Sequence, residues 1–128
     1  QAVRDADLIV TTPEKWDSFS RFRRDAQGVI SRVGLLLLDE IHLLNDAGRG
    51  PTLEAVVARM RTLSQSAAVR GTPIASLRSV SLSATISNHE DIARWLDGGC
   101  LVKAFDESYR PVPLQWRVLT YPMGSAPI

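Results

Sequence analysis

Residues 35–38 are four leucines in a row, preceded by Gly34 and followed at once by Asp39 and Glu40. A half-buried strand alternates apolar and polar residues. An unbroken apolar run of strand length belongs instead to a strand buried on both faces, as in a parallel sheet. Parallel neighbours need a crossover connection, and one is legible here. Gly50-Pro51 opens a helix, with Leu53, Val56, Val57, Met60 and Leu63 along one face. Residues 64–77 read as an irregular connection. Residues 79–83, alternating around Val80 and Leu82, read as the next strand.

The same alternation of strand and helix extends to both sides. Residues 6–10 are a short apolar strand candidate. Thr12 offers a helix N-cap, with Pro13 at the first helical position and Glu14 behind it. Trp16, Phe19 and Phe22 recur every third residue and give that helix an aromatic side, expected to pack in the core. Residues 45–50 form a polar loop. Asn88 caps a further helix, with Asp91 in the capping-box position. Ile92, Trp95 and Leu96 form its buried face, and Gly98 ends it. Residues 101–105 and 114–121 are strand candidates, separated by a linker marked by Pro111 and Pro113. The pattern predicts an α/β fold with a mostly parallel sheet flanked by helices.

Composition adds bounds. The chain has 128 residues, 45% hydrophobic and 23% charged, which fits one globular domain or part of one. A net charge of +1 does not announce a nucleic-acid binder, although a local patch matters more than the sum. Cys100 is the single cysteine, so an internal disulfide is excluded and a reducing compartment suits the chain. No apolar run approaches the ~20 residues of a membrane span, so no membrane partner is expected. The first residue is Gln1, and the start of the protein is expected upstream.

Polar residues able to do chemistry follow three of the strand candidates. Thr11 and Thr12 follow residues 6–10. Asp39 and Glu40 follow the leucines. Ser83-Ala84-Thr85 follows the third strand. In an open parallel sheet all C-terminal strand ends share one edge, where ligands bind. Two carboxylates at that edge suit Mg²⁺, which takes carboxylate oxygen, water and bridging phosphates. One of the pair is then placed to accept a proton from an attacking water. Acids in the first turn of a helix are the plainer reading of the same pair.

Asp39-Glu40-Ile41-His42 reads DEIH, Ser83-Ala84-Thr85 reads SAT, and Thr12-Pro13-Glu14-Lys15-Trp16 reads TPEKW. In this order, each after a strand candidate, they resemble three motifs of the superfamily 2 DExH-box helicases. DEIH resembles the Walker B motif, SAT the motif coupling hydrolysis to strand movement, and TPEKW a nucleic-acid-contacting motif. Residues 49–54 and 88–96 look like the Ski-like branch. Phe105-Asp106-Glu107-Ser108-Tyr109-Arg110-Pro111-Val112 is similar to the meiotic crossover (Mer-type) DNA helicases. The resemblance spans roughly residues 6–122.

The resemblance implies a partial RecA-like domain that uses ATP and Mg²⁺. It implies that Asp39 holds Mg²⁺, that Glu40 is the general base, and that His42 links the ATP site to SAT. Ser83 and Thr85 would relay the state of the site; capping of the strand-to-helix turn is their plainer role. Thr11, Thr12 and Lys15 would meet the nucleic-acid backbone at a helix N-terminus, where free N–H groups attract phosphate. Trp16 either supports that contact or packs in the core. Arg49 either touches the strand or braces its loop. His89 reads as a solvated residue of a first helical turn. DNA is the expected nucleic acid ahead of RNA, and the nucleus the expected location.

A phosphate loop of the form G-x-x-x-x-G-K-[ST] is not among these residues. The only lysines are Lys15 and Lys103, and neither follows a glycine. The family places that loop and its strand upstream. The resemblance therefore implies that residues 1–113 are the C-terminal part of a first RecA-like domain. Residues 114–128 would lead toward a second such domain, the expected partner within the same protein. The isolated chain is expected to lack ATPase activity. Two other readings are a non-catalytic module that kept the fold and a metal-dependent nuclease, the latter needing Asp46 to fold back toward Asp39 and Glu40.

Overall fold

A computed structural model of the chain describes residues 3–22, 26–84, 86–98 and 100–120. Its elements run α1 (Pro13–Phe22), α2 (Ala26–Ile30), β1 (Leu35–Leu38), α3 (Gly50–Ser64), β2 (Arg78–Ser81) and α4 (His89–Asp97). Short 3₁₀ turns occupy Ile41–Asn45, Ala67–Val69, Pro73–Ser76 and Glu107–Tyr109. β1 and β2 pair in parallel, with Leu35 opposite Arg78 and Leu38 opposite Ser81. The connection between them carries α3, so the crossover read from the sequence is present.

α3 is the packing hub because two adjacent stripes of its surface are apolar. Val56 and Met60 join Trp16, Ala26, Ile30, Val69 and Ile74 in one buried cluster. Leu53 and Val57 join Leu38, Ile41 and Leu96 in a second. Arg59 fastens α1 to α3 through Asp17, at 2.8 Å, and Ser20, at 2.7 Å. Arg61 donates to the Trp95 carbonyl and ties α3 to α4. The start of α3 is fixed by close approach. A Cβ at Gly50 would overlap the Leu44 carbonyl oxygen and lie 2.9 Å from its carbon.

Several expectations change. The leucine strand is not buried on both faces. Leu36 and Leu38 face the helices, whereas Leu35 is 47% and Leu37 59% exposed. Val80 and Leu82 are also exposed, so one face of the sheet is apolar and uncovered among the described residues. Residues 6–10 are not a strand. They run along a cleft of about 980 Å³ that they share with β1, and no backbone hydrogen bond joins the two segments. Residues 101–105 and 114–120 are likewise exposed and unpaired, because a strand requires a neighbour and none is placed beside them. Tyr121, the last residue of that candidate, lies outside the described residues.

Smaller corrections follow the same logic. Phe19 packs against the core, but Phe22 is 78% exposed at the end of α1. Asn88 caps α4 through its backbone carbonyl, which accepts from Asp91 and Ile92, and not through its side chain. Gly98 ends α4 in the left-handed conformation, as expected. The connection at 64–77 is irregular but not superficial: Ile74 is fully buried within it.

The chain exposes 10428 Å², whereas a compact monomer of 14.1 kDa exposes about 6,700 Å². The isolated 128-residue chain is therefore expected to bind the hydrophobic dye ANS strongly in native buffer. A signal no higher than that of an ordinary folded protein would show that the sheet face is covered. Gly50→Ala in the full-length protein is expected to loosen the start of α3 by about 1–3 kcal/mol. Hydrogen exchange of the α3 amides reads this; unchanged protection would contradict the close approach.

Candidate active site

The sheet ladder extends past the ends of both strands. The Leu82 N–H donates to the Leu38 carbonyl at 2.9 Å, and the Ile41 N–H donates to the Leu82 carbonyl at 2.9 Å. Leu82 immediately precedes Ser83, and Ile41 lies inside DEIH. Two motifs more than forty residues apart in sequence are therefore joined by consecutive backbone bonds at one sheet edge.

Asp39 and Glu40 form the turn that makes this possible. Glu40 has φ 54°, the one described non-glycine residue with positive φ. Its N–H donates to Asp39 Oδ1 at 2.9 Å. The turn ends β1 and starts the 3₁₀ helix Ile41–Asn45, whose first residue is buried. Both carboxylates remain exposed. Two exposed carboxylates at a strand end fit Mg²⁺, which uses one or two such groups and completes its shell with water and phosphate oxygens.

His42 Nδ1 lies 3.2 Å from Glu40 Oε2, within ion-pair range. That nitrogen is buried and lacks a well-directed hydrogen bond among the described residues, although the His42 side chain as a whole is 37% exposed. The structure thus places His42 against Glu40; no hydrogen bond joins it to Ser83 among the described residues. Ser83 is exposed just beyond the ladder. Thr85 lies outside the described residues.

Thr12 caps α1 weakly, its Oγ1 accepting from the Lys15 N–H at 3.4 Å. Thr11, Thr12 and Lys15 are exposed at that helix end. Thr11, Thr12, Asp39, Glu40 and Arg49 all line the cleft along β1, so TPEKW and DEIH open onto one space. Trp16 lines the same cleft but is buried, with Nε1 lacking a partner among the described residues; its packing role is the one the structure shows. A smaller cleft of about 270 Å³ near Arg61 and Asp97 carries none of the motif residues. His89 is exposed in the first turn of α4, as expected.

Three residues acquire roles that sequence reasoning left open or missed. Arg49 Nε lies 3.3 Å from Glu14 Oε1, which links the DEIH side to TPEKW. Glu14, a residue of TPEKW behind Pro13, is given no partner by the sequence alone. Its carboxyl is held below the usual range by its own backbone N–H first, then by Thr12 and Arg49. Asp46 does not fold back toward Asp39. Its Oδ1 accepts from the Gly48 and Arg49 N–H groups, both at 2.8 Å, and these bonds lower its pKa. The Asp-x-Gly spacing in a polar loop was the available signal. Engagement of Asp46 in that turn removes the third acid that a nuclease reading needed.

From Leu101 to Thr120 the chain is exposed but locally organised. Asp106 Oδ1 accepts from the Ser108 N–H at 2.9 Å, and Lys103 sits 5.0 Å from the Phe105 ring centre. No described helix is long and apolar enough to cross a membrane.

The chain is 48% identical over 130 residues to the human probable ATP-dependent DNA helicase HFM1, covering 96% of this chain and 9% of that protein. It is 46% identical over 127 residues to the rice ATP-dependent DNA helicase MER3 homolog, covering 94% and 10%. It is 43% identical over 118 residues to the Arabidopsis thaliana DExH-box ATP-dependent RNA helicase DExH14, covering 91% and 5%. The chain thus spans about a tenth or less of the length of these relatives. No solved structure matches it significantly. The family model for DEAD/DEAH box helicases matches residues 1–92, a stretch that contains TPEKW, DEIH and SAT. With that match and the junction of DEIH and SAT at one sheet edge, the chain belongs to the DEAD/DEAH box helicase family.

Proposed function

We propose that the chain forms part of the first RecA-like motor domain of an ATP-dependent DNA helicase. That helicase would couple ATP hydrolysis to strand unwinding in meiotic recombination, in the nucleus. Residues 1–113 would be the C-terminal part of that domain. Residues 114–128 would lead toward the second motor domain, the partner in the same protein. The observation that carries the reading is the bond from the Ile41 N–H to the Leu82 carbonyl, which brings the DEIH segment next to the residue that precedes Ser83. The relatives named as DNA helicases support DNA as the substrate.

Each residue then has a task. Asp39 would hold Mg²⁺ at the end of β1, where the ion would neutralise charge on the phosphate oxygens of ATP. Glu40 projects from the same turn and takes the proton of the water that attacks the terminal phosphate. His42, packed against Glu40, orients that carboxylate. Ser83 and Thr85 follow the strand beside DEIH and sense changes there through the shared ladder. Thr11, Thr12 and Lys15 present hydroxyl, N–H and ammonium groups to the nucleic-acid backbone, which fixes position without reading sequence.

Glu40→Gln in the full-length protein is expected to lower ATP turnover by about 10²–10⁴-fold while ATP still binds. Radiolabelled ATP hydrolysis and filter binding measure the two halves. Full turnover in the variant would favour a non-catalytic module that kept the fold. Ser83→Ala is expected to retain most ATP hydrolysis but lose strand separation on a DNA duplex. Equal loss of both activities would remove Ser83 from the coupling path. Running the same unwinding assay on an RNA duplex separates the two nucleic acids.

A further inference from the structure

Arg49 stands where two functional segments meet. It is the residue before α3, placed by the turn in which Asp46 Oδ1 accepts from the Gly48 and Arg49 N–H groups at 2.8 Å. The Gly50 N–H adds a bond to the Asp46 carbonyl at 2.8 Å. Gly50 itself has no room for a Cβ against Leu44. This turn begins where the 3₁₀ helix of DEIH ends. From it, Arg49 Nε reaches Glu14 Oε1 at 3.3 Å, across 35 residues of sequence. Glu14 is in the first turn of α1, between Thr12 and Lys15. Among the described residues this is the one side-chain hydrogen bond or ion pair between residues 11–16 and residues 39–50.

We infer that the Glu14–Arg49 pair is a positioning clamp that transmits the state of the DEIH turn to the nucleic-acid-facing end of α1, and that Arg49 acts through Glu14 and not on phosphate. The inference rests on the proposed helicase function. Three features support it. The guanidinium is directed at a carboxylate, which competes with any phosphate for the same donors. Glu14 stays ionised through its backbone N–H, Thr12 and Arg49. From Trp16 onward α1 is anchored separately, by burial of Trp16 in the core and by Asp17 and Ser20 on Arg59, so the residues before Trp16 are the part left to follow the DEIH turn. Both members of the pair are about half exposed, and a pair of that kind adds little to stability. Its removal should therefore alter coupling and leave folding intact.

The test uses the full-length protein, a short single-stranded DNA and ATP. Turnover is measured against DNA concentration for wild type, Glu14→Gln, Arg49→Gln and the charge-swapped double variant Glu14→Arg/Arg49→Glu. Each single variant is expected to lower the ratio of DNA-stimulated to DNA-free turnover by about fivefold, with the KM for ATP unchanged. The swapped pair is expected to recover most of that ratio. A direct phosphate contact predicts the reverse for the swap: Arg49→Glu would weaken DNA binding further, whatever stands at position 14. That outcome, or unchanged stimulation in both single variants, overturns the clamp while the helicase reading stands. Absence of DNA-stimulated turnover in the wild type overturns the helicase reading and the clamp with it.

Discussion

The bonds that Leu82 makes with Leu38 and Ile41 hold the site together. Each backbone hydrogen bond contributes about 1 kcal/mol net. Against them stands Glu40, whose left-handed backbone costs about 1–2 kcal/mol for a residue with a Cβ. The two quantities are of the same order, and the Asp39 carboxylate adds a further bond to the Glu40 N–H. The turn is therefore held, not relaxed. It inserts one extra residue into the ladder between Leu38 and Ile41, so that both carboxylates stay exposed and Ile41 enters the core. A strand simply continued through Asp39 and Glu40 would place one of the two acids on the side occupied by α3.

The connection from that turn to α3 is made with little slack. Ile41 and Leu53 share a core cluster with Leu38 and Leu96, so the 3₁₀ helix is fixed at its beginning by burial. It is fixed at its end by Asp46, which gathers the N–H groups of the following turn. Between these points lie His42, Leu43, Leu44 and Asn45, in a helix type with poorer hydrogen-bond geometry than the α-helix. A displacement at Glu40 has few ways to dissipate before it reaches Gly50 and the first turn of α3. This is the sense in which packing and sequence punctuation serve function: Gly50 and Asp46 are there for rigidity, not for chemistry.

Much of the fold could be read from residue order, and the reasons differ by element. α3 was legible because its apolar positions, Leu53 to Leu63, repeat at helical spacing over about three turns, and α4 because Gly98 marks its end. The DEIH and SAT junction was legible because acids and hydroxyls directly after apolar strands have one shared destination in a parallel sheet. Ile74 was not legible, since burial within an irregular connection has no period to detect. α2 was missed for a related reason: five residues interrupted by Gly28 carry too little pattern. The Glu14–Arg49 pair depends on the approach of α1 to α3, which no local signal encodes. Residues 6–10, 101–105 and 114–120 show the opposite error. Strand-like sequence was present, but a strand exists only where a neighbour completes its ladder.

The open face of the sheet bears on the site as well as on solubility. Leu35, Leu37, Val80 and Leu82 are apolar and exposed, and burying each fully would stabilise the protein by about 1.5–3 kcal/mol. The four lie along the strands that deliver Asp39, Glu40 and Ser83 to the edge. In open water two unit charges 4 Å apart interact by about 1 kcal/mol; at the dielectric of a partly enclosed protein surface the figure is about 4 kcal/mol. The exposed acids at this edge sit in the first regime. A phosphate-transfer site draws most of its power from the second. Surface that covers the sheet face would stabilise the fold and strengthen the electrostatics of its rim in one step, and the proposed second motor domain would enclose the rim from the other side. On the proposed helicase reading, the acids here would be the preorganised half of a site whose catalytic strength would depend on that enclosure.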